Sequence, residues 1–354
     1  MIIEQQISRR TFLVGTAALC GCRALVESNN APGTSWRVSD PTNASAASEL
    51  RELLAKGDTT GMLVVHGGME IFEYGDLAQV TYLASARKSL VAMLYGPAIS
   101  RGTIHLNTSL EEIGFDDDGG LLPRERKATI RDLLRARSGV YHRAANLGDA
   151  SDRAPPRGSV EPGSYFLYNN WDFNALGAIY EKVTGRDLYK AFEEDIAIPI
   201  GMQDWRRDLQ PIRNDTGASR YPANHFVLST RDMARVGLLM LRRGEWNGAR
   251  VLDSDWVGRI SSLATSAEEV SRTSPFVEGL GYGYLWWVFD SKTKWPKNYA
   301  GGYTASGAYG QFITVLPQLD LVIAHKTAAP SNRNVPPEKY FGSLLPASVA
   351  LVVS

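Results

Sequence analysis

Cysteine is nearly absent from this chain. Only two of its 354 residues are cysteines, Cys20 and Cys22, and both fall within the first 30 residues. The rest of the chain therefore has no means of forming a disulfide, a thiol nucleophile or a cysteine-ligated metal site. Covalent chemistry in the body of the protein must use other side chains.

The chain also lacks an excess of charge of one sign and the common metal and cofactor motifs. Lys plus Arg and Asp plus Glu both number 38, so composition favours neither nucleic acid nor an anionic membrane surface as a partner. The five histidines are scattered without His-Glu-x-x-His spacing, and no Gly-x-Ser-x-Gly elbow, phosphate loop or dinucleotide-binding glycine pattern is present. The sequence thus predicts a small-molecule ligand, with no metal and no cofactor.

The apolar run near the N-terminus is too short to span a membrane. Arg9 and Arg10 precede it, and it extends only from Phe12 to Cys22, whereas a spanning helix needs about 20 residues. Residues 1–30 are therefore predicted to be an export signal. The arginine pair resembles a twin-arginine signal, and an ordinary secretory leader is the alternative.

Cys22 is a candidate lipid acceptor. Leu19-Cys20-Gly21-Cys22 resembles a lipoprotein cleavage box, and the alternative is that both cysteines are merely small apolar residues of the leader. The Pro, Ser, Asn and Thr-rich residues 31–48 are interpreted as a linker. We expect an exported protein, either periplasmic or tethered to the membrane as a lipoprotein.

Patterns typical of strands stand at both ends of the folded chain. Residues 60–66 and 69–74 are joined by Gly67-Gly68, a strong hairpin signal, and a first helix is expected just before them, over Glu49–Lys56. Near the other end, three strands are predicted, over residues 284–290, 310–316 and 319–325.

Helical patterns fill the middle of the chain. They recur from Ser85 to about Ile260, and glycine stops follow the segments 172–184 and 230–243. Sheet, helices and sheet in this order predict an α+β fold. An α/β lobe (residues 49–105 and 270–354) contains an antiparallel sheet flanked by helices and built from both chain ends, and an all-α lobe (residues 106–269) is inserted between them.

Ser85-Ala86-Arg87-Lys88 stands where the strand pattern gives way to a helix. Positions i and i+3 lie on one helix face, so Lys88 would lie within reach of Ser85. Burial or a second cation would lower the pKa of Lys88 and let it act as a base. The motif alone is weak: residues 291–294 match it too, in a predicted loop before Pro296. A helix start with a solvated lysine is the alternative for Ser85.

Other segments make the pattern specific. Tyr168-Asn169-Asn170 and the helix after it resemble the Tyr-x-Asn element of the penicillin-recognising serine hydrolases, the family of class C β-lactamases, D-alanyl-D-alanine carboxypeptidases and related esterases. Three further segments resemble that family in the same order. They are residues 129–134, 229–237 and 281–287. The resemblance covers roughly residues 60–326 and implies a β-lactamase/transpeptidase-like fold.

The resemblance implies roles for individual residues. Ser85 would be the nucleophile, and Lys88 and Tyr168 would handle protons, either of them acting as the base. A phenol near an ammonium group should have a lowered pKa, which is what we expect of Tyr168, with a buried aromatic of the core as the alternative. Asn170 would hydrogen-bond the substrate and orient Lys88.

The family's third element is normally a Lys or His followed by Thr or Ser and then Gly, on a strand beside the site. The counterpart here is Ala305-Ser306-Gly307, which lacks the cation. Gly307 would let the strand approach closely, and the N–H of Ala308 would join that of Ser85 as an oxyanion hole. Residues 307–311 resemble the corresponding segment of 6-aminohexanoate-dimer hydrolases and esterases.

The missing cation bears on the substrate. In β-lactamases and peptidases it contacts a substrate carboxylate, which would be costly to bury unpaired. The resemblance therefore implies a serine hydrolase acting on a small ester or amide through an acyl-enzyme, although a β-lactamase or D-Ala-D-Ala peptidase remains open. Arg87 and Arg137 are expected to be solvated, and the alternative is that they supply the missing charge from elsewhere. A different class of function is a non-catalytic protein that binds or senses cell-wall peptides on the same fold.

Overall fold

A seven-stranded antiparallel sheet organises the molecule. The structure is a computed structural model and describes residues 35–274, 278–328 and 333–353. The sheet strands are β1 Gly61–His66, β2 Met69–Gly75, β9 Leu280–Tyr282, β10 Trp287–Phe289, β11 Tyr303–Gly307, β12 Gln311–Leu316 and β13 Leu321–Lys326. Their order in the sheet is β2-β1-β13-β12-β11-β10-β9. Six two-residue strands pair outside it: β3 Thr81–Tyr82 with β6 Val227–Leu228, β4 Ile212–Arg213 with β5 Ala223–Asn224, and β7 Glu245–Trp246 with β8 Ala249–Arg250.

The two ends of the chain meet in this sheet. β1 pairs antiparallel with β13, from Gly61 opposite Lys326 to His66 opposite Leu321. The predicted hairpin of β1 and β2 turns at Gly67 and Gly68, whose φ values of 60° and 80° fit glycine at both central positions of the turn. The sequence prediction of an α+β fold with an antiparallel sheet built from both chain ends is confirmed.

Helices cover both faces of the sheet. Alternation along β12 points Phe312 and Ile313 to opposite faces. Phe312 stacks on Tyr340 of the C-terminal helical segment, with ring centroids 3.8 Å apart, whereas Ile313 lies against Gly237 of the helix over residues 230–241. The described helices are α1 Ala44–Ala55, α2 Arg87–Ser100, α3 Leu110–Ile113, α4 Ile130–Leu134, α5 Asn170–Thr184, α6 Leu188–Phe192, α7 Thr230–Leu241, α8 Ser254–Ile260, α9 Ala267–Thr273, α10 Pro337–Lys339 and α11 Leu345–Val349.

The predicted helical segments 172–184 and 230–243 correspond to α5 and α7. The Asn169 side chain caps α5, which ends at Gly185 in the left-handed region with φ 68°. The Ser229 side chain accepts from the backbone N–H of Asp232 at the start of α7. The Asp232 carboxylate accepts from the backbone N–H groups of Gln203 and Asp204, so it joins α7 to a neighbouring loop.

Three segments differ from the sequence predictions. The segment interpreted as a linker to residue 48 already contains the start of α1, because Asn43 caps that helix by accepting from Ala46 N–H, and Val38 pairs with Glu70. Helix α7 falls within residues 106–269 yet packs on the sheet, since Gly237 leaves room for Val322. Strand β10 covers only residues 287–289 of the predicted 284–290. The predicted leader and Cys22 lie outside the described residues.

No helix within the described residues is long and apolar enough to cross a membrane.

Candidate active site

Ser85 stands at a strained turn between the sheet region and α2. The 3₁₀ turn Ala84–Ala86 runs directly into α2 at Arg87. Ala84 has a φ of 47°, which a residue with a Cβ adopts only where surrounding contacts enforce it. The N–H of Leu83 donates to the carbonyl of Phe226 at 2.9 Å and anchors the approach. The turn thereby fixes the Ser85 hydroxyl at the start of the helix.

Lys88 touches both proposed partners. Its Nζ lies 3.2 Å from Ser85 Oγ and 2.6 Å from Tyr168 OH. Lys88 is 2 % exposed, and its Nζ also lies 4.4 Å from the centre of the Phe173 ring. Burial, and secondarily the charge of Arg87, lower the pKa of Lys88 well below its ordinary value. An unprotonated amine in this position can accept the Ser85 proton.

The pKa of Tyr168 departs from the sequence expectation. We expected a neighbouring ammonium group to lower it, but burial raises it, and the opposing effects of Ser85 and Arg87 are smaller. The physical reason is that a phenolate loses its hydration in this enclosed place, while Lys88 is itself inclined to be uncharged. Tyr168 is therefore placed as a phenol that can donate a proton, and Lys88 is the better base.

Gly307 brings strand β11 against the Ser85 turn. A Cβ added at this glycine would lie 2.3 Å from the carbonyl oxygen of Leu83 and 2.9 Å from the backbone nitrogen of Ala86. Only glycine allows this approach, and the reason is lack of space, because the φ of Gly307 is not in the left-handed region. Ser85, Gly307 and Ala308 line one cleft, as the sequence prediction of an oxyanion hole requires.

Asn170 is buried next to the site but bonds elsewhere. Its Nδ2 donates to the carbonyl of Leu147 at 3.0 Å, and its N–H donates to Asp149 Oδ2 at 2.7 Å. Its Oδ1 is buried without a hydrogen-bond partner in the described part of the chain. No hydrogen bond joins it to Lys88 among these residues, so its substrate-binding role stays a prediction.

The cleft in front of Ser85 has a volume of about 350 Å³ and carries no ionisable carboxylate, amine, guanidinium or imidazole among its described lining residues. These residues are Ser85, Gly148, Tyr168, Trp287, Ser306, Gly307, Ala308, Tyr309, Asn334, Pro336 and Pro337. Ala305, the position of the family's cation, is fully buried and does not line it. No group of three His, Cys, Asp or Glu side chains suited to a metal ion occurs among the described residues.

Sequence reasoning missed the aromatic and proline wall of this cleft. Trp287 stacks on Tyr168 with ring centroids 5.4 Å apart, and its segment is held to α2 by a bond from Ser89 Oγ to the carbonyl of Leu285. The family-like segment 281–287 was a usable signal for Trp287. Nothing in the sequence indicated that Pro336 and Pro337 would reach the cleft.

Both arginines expected to be solvated are buried. Arg137 is 7 % exposed and pairs with Glu269 at 2.6 Å, outside the cleft lining. Arg87 is 1 % exposed and donates to Asn174 Oδ1 at 2.7 Å. The burial of a side chain depends on which distant elements pack against it, which the local sequence did not show.

Comparison with known proteins identifies the family of the chain. The model of the Beta-lactamase family matches residues 46–340. The 6-aminohexanoate-dimer hydrolase of Paenarthrobacter ureafaciens is 31% identical over 170 residues, covering 47% of this chain and 40% of that protein. The monacolin J acid methylbutanoyltransferase of Aspergillus terreus is 30% identical over 174 residues, covering 40% and 41%. The chain thus matches about two-fifths of the length of these curated relatives.

A solved structure has the same fold over nearly the whole chain. EstCE1, described as a hydrolase with promiscuous acyltransferase activity, superposes with a TM-score of 0.61 at 18% identity and covers 88% of this chain and 98% of its own. The family match spans most of the chain and includes Ser85, Lys88 and Tyr168. The chain belongs to the β-lactamase family.

Proposed function

We propose that this protein is a serine hydrolase that cleaves small esters or amides through an acyl-enzyme. The observation that carries the proposal is the buried contact of Lys88 Nζ with both Ser85 Oγ and Tyr168 OH. A nucleophile, a base of lowered pKa and a proton donor are thereby assembled at one end of an open cleft. The hydrolase names of relatives in the same family support it.

In the first half-reaction, Lys88 accepts the Ser85 hydroxyl proton as Oγ attacks the substrate carbonyl carbon. The resulting oxyanion is stabilised by the N–H groups of Ser85 and Ala308. As the tetrahedral intermediate collapses, Tyr168 OH donates its proton to the leaving oxygen or nitrogen and takes one from the Lys88 ammonium. The carbonyl bond to the leaving group breaks, and an ester of Ser85 remains.

In the second half-reaction, water replaces the leaving group. Lys88, acting with Tyr168, accepts a proton from the attacking water, and the ester bond to Ser85 Oγ breaks. That proton then returns to Oγ, so the acid product leaves and the site is restored. Nothing in this cycle requires a group beyond the three side chains and the two backbone N–H groups.

The substrate we propose is uncharged where it meets the cleft. No Lys or Arg side chain is among the described lining residues, and aromatic rings and prolines form much of the wall. A carboxylate buried there would lose its hydration without gaining a cationic partner. Short neutral esters should therefore be hydrolysed with a kcat/KM at least about 10-fold above that of nitrocefin or D-Ala-D-Ala peptides, consistent with the several kcal/mol an unpaired buried charge costs.

The experiment that tests the function is active-site labelling with a fluorophosphonate probe, followed by mapping of the labelled peptide. We expect a single adduct on Ser85 and time-dependent loss of p-nitrophenyl ester turnover. Absence of labelling, together with absence of turnover across esters, nitrocefin and D-Ala-D-Ala peptides, would favour the non-catalytic binding protein. Nitrocefin turnover exceeding ester turnover would contradict the substrate preference alone.

We further propose that residues 1–30 direct export and that Cys22 carries a lipid anchor. The arginine pair before a short apolar run and the residues Leu19–Cys22 support this. Mass spectrometry of the protein isolated from a bacterial host tests this proposal. A mature chain that starts at a diacylated Cys22 supports the anchor, and a mature chain without lipid on Cys22 contradicts it.

A further inference from the structure

Arg87 is a buried guanidinium without an anionic partner. It is 1 % exposed, and its Nη2 donates to the neutral amide oxygen of Asn174 at 2.7 Å. Its Nη1 is buried and has no hydrogen-bond partner in the described chain. None of the ion pairs formed by the described residues includes it. By contrast, the buried Arg137 pairs with a carboxylate, and the buried Arg235 donates to a backbone carbonyl and interacts with the Asp232 charge.

Burial of an unpaired guanidinium is costly. Removing a charge from water costs several kcal/mol unless a counter-charge compensates, and an apolar side chain of similar size is often tolerated or even stabilising at such a place. A cation kept there unpaired therefore points to a role other than packing.

The surroundings of Arg87 leave its charge uncompensated near the reacting groups. The ring hydroxyls of Tyr82, Tyr168 and Tyr189 lie close enough to interact with it electrostatically. His225 stays neutral, because burial first, and the Arg87 charge second, lower its pKa to about 2. Consecutive helix residues do not face each other, so Arg87 acts on Lys88 through space, across a poorly polarisable interior.

We propose that Arg87 is a positioning residue whose fixed charge keeps the Lys88 amine unprotonated, ready to accept the Ser85 proton. This inference rests on the proposed hydrolase function. A second positive charge on Lys88 is disfavoured beside a guanidinium that never loses its own proton. The same charge favours negative charge on Tyr168 and on the oxyanion, so it assists the reaction at both steps.

Asp149 affects the pKa of Lys88 in the direction opposite to that of Arg87. It lies on the loop whose Gly148 lines the cleft, and it accepts from the N–H groups of Asn170 and Ser151. Its charge favours the protonated amine. The other described groups near Lys88 are Ser85 Oγ, Tyr168 OH, the aromatic rings of Tyr168 and Phe173, and the neutral imidazole of His225, whose pKa the Lys88 charge also lowers. Arg87 and Asp149 are therefore the two charged side chains whose removal should shift the pKa of Lys88 in opposite directions.

The test uses Arg87→Met and Asp149→Asn in the full protein, with Arg137→Met as the matched control for loss of a buried arginine. Two quantities are measured against pH: kcat/KM for a neutral p-nitrophenyl ester, and the ¹³Cε chemical shift of Lys88, which needs no turnover. We expect Arg87→Met to raise the pH midpoint of the Lys88 titration, called the Lys88 midpoint below, by about one pH unit or more. The acidic limb of the kcat/KM profile should move to higher pH by the same amount. Asp149→Asn should lower both.

Stability separates this role from a structural one. Arg87→Met should keep or raise the Tm, since it removes an unpaired buried charge. Arg137→Met should lower the Tm, because Glu269 loses its partner, and it should leave the Lys88 midpoint in place. Arg87→Gln retains a donor for Asn174 and gives a second measurement if the methionine variant folds poorly.

The two proposals fail in different ways. An unchanged Lys88 midpoint in Arg87→Met or Arg87→Gln, or a midpoint that rises in Asp149→Asn, would overturn the role of Arg87. A wild-type protein without ester turnover or probe labelling would overturn the hydrolase, while the Lys88 shift would still report whether Arg87 controls the amine.

Discussion

Replacing Ser85 by alanine or Lys88 by methionine is expected to lower ester turnover by about 10³-fold or more, and replacing both should cost little beyond either change alone. In the proposed mechanism, Ser85 supplies the attacking oxygen and Lys88, whose Nζ lies 3.2 Å from Ser85 Oγ, accepts its proton. Without the serine there is nothing for the amine to deprotonate, and without the amine the hydroxyl remains a poor nucleophile. The two side chains act as one unit, so their effects do not add.

The measurement is kcat/KM for p-nitrophenyl acetate in the two single variants and the double variant. Methionine suits the Lys88 position, because its surroundings include the rings of Tyr168 and Phe173, so the Tm should not fall. Fluorophosphonate labelling should disappear in Ser85→Ala and slow by a similar factor in Lys88→Met. Rate losses in the double variant that equal the product of the single losses would contradict the shared role.

The second large effect is expected for Gly307→Ala, a change of one methyl group that should lower kcat/KM by about 10²-fold or more. The new Cβ would stand 2.3 Å from Leu83 O and 2.9 Å from the nitrogen of Ala86. Both are backbone atoms that cannot rotate away, so strand β11 must withdraw from the Ser85 turn. The N–H of Ala308 then moves away from the position of the oxyanion, and loss of one such donor typically costs 10²–10³ in rate.

Gly342→Ala is the matched control for this change. A Cβ at Gly342 meets nothing within 4 Å, so the same substitution should leave turnover and Tm nearly unchanged. For Gly307→Ala the strain should also lower stability by about 1–3 kcal/mol. A variant with wild-type kcat/KM would show that the close approach of β11 is not needed for catalysis.

Much of the fold follows from local sequence, and so does the pairing of Ser85, the proposed nucleophile, with Lys88. The hairpin at Gly67-Gly68, the capped helices α5 and α7 and the strands near the end of the chain each depend on short-range signals, which is why they could be predicted. The order of the elements along the chain predicted that both chain ends join one sheet, and the structure added that β1 pairs with β13. Ser85 and Lys88 could be paired because helical spacing alone places i and i+3 on one face.

The states of the charged groups were decided only by tertiary packing. Sequence gives the neighbours of Arg87 along the chain, but not that three tyrosines and Asn174 enclose it, so it was expected to be solvated. The pKa of Tyr168 was predicted in the wrong direction for the same reason: the nearby ammonium was foreseen, and the loss of hydration was not.

The cleft likewise has features that the sequence predicted and features that only the tertiary structure decided. The absence of a cation at Ala305 was evident from the sequence, and it indicated a neutral substrate. The full set of wall residues could not be predicted, because Trp287, Tyr309 and Pro336 come from separate segments that only the folded chain brings together. The sequence determined which chemical groups the protein contains and their local geometry. The tertiary structure decided how deeply these groups are buried, and burial sets their protonation states because it disfavours the charged form.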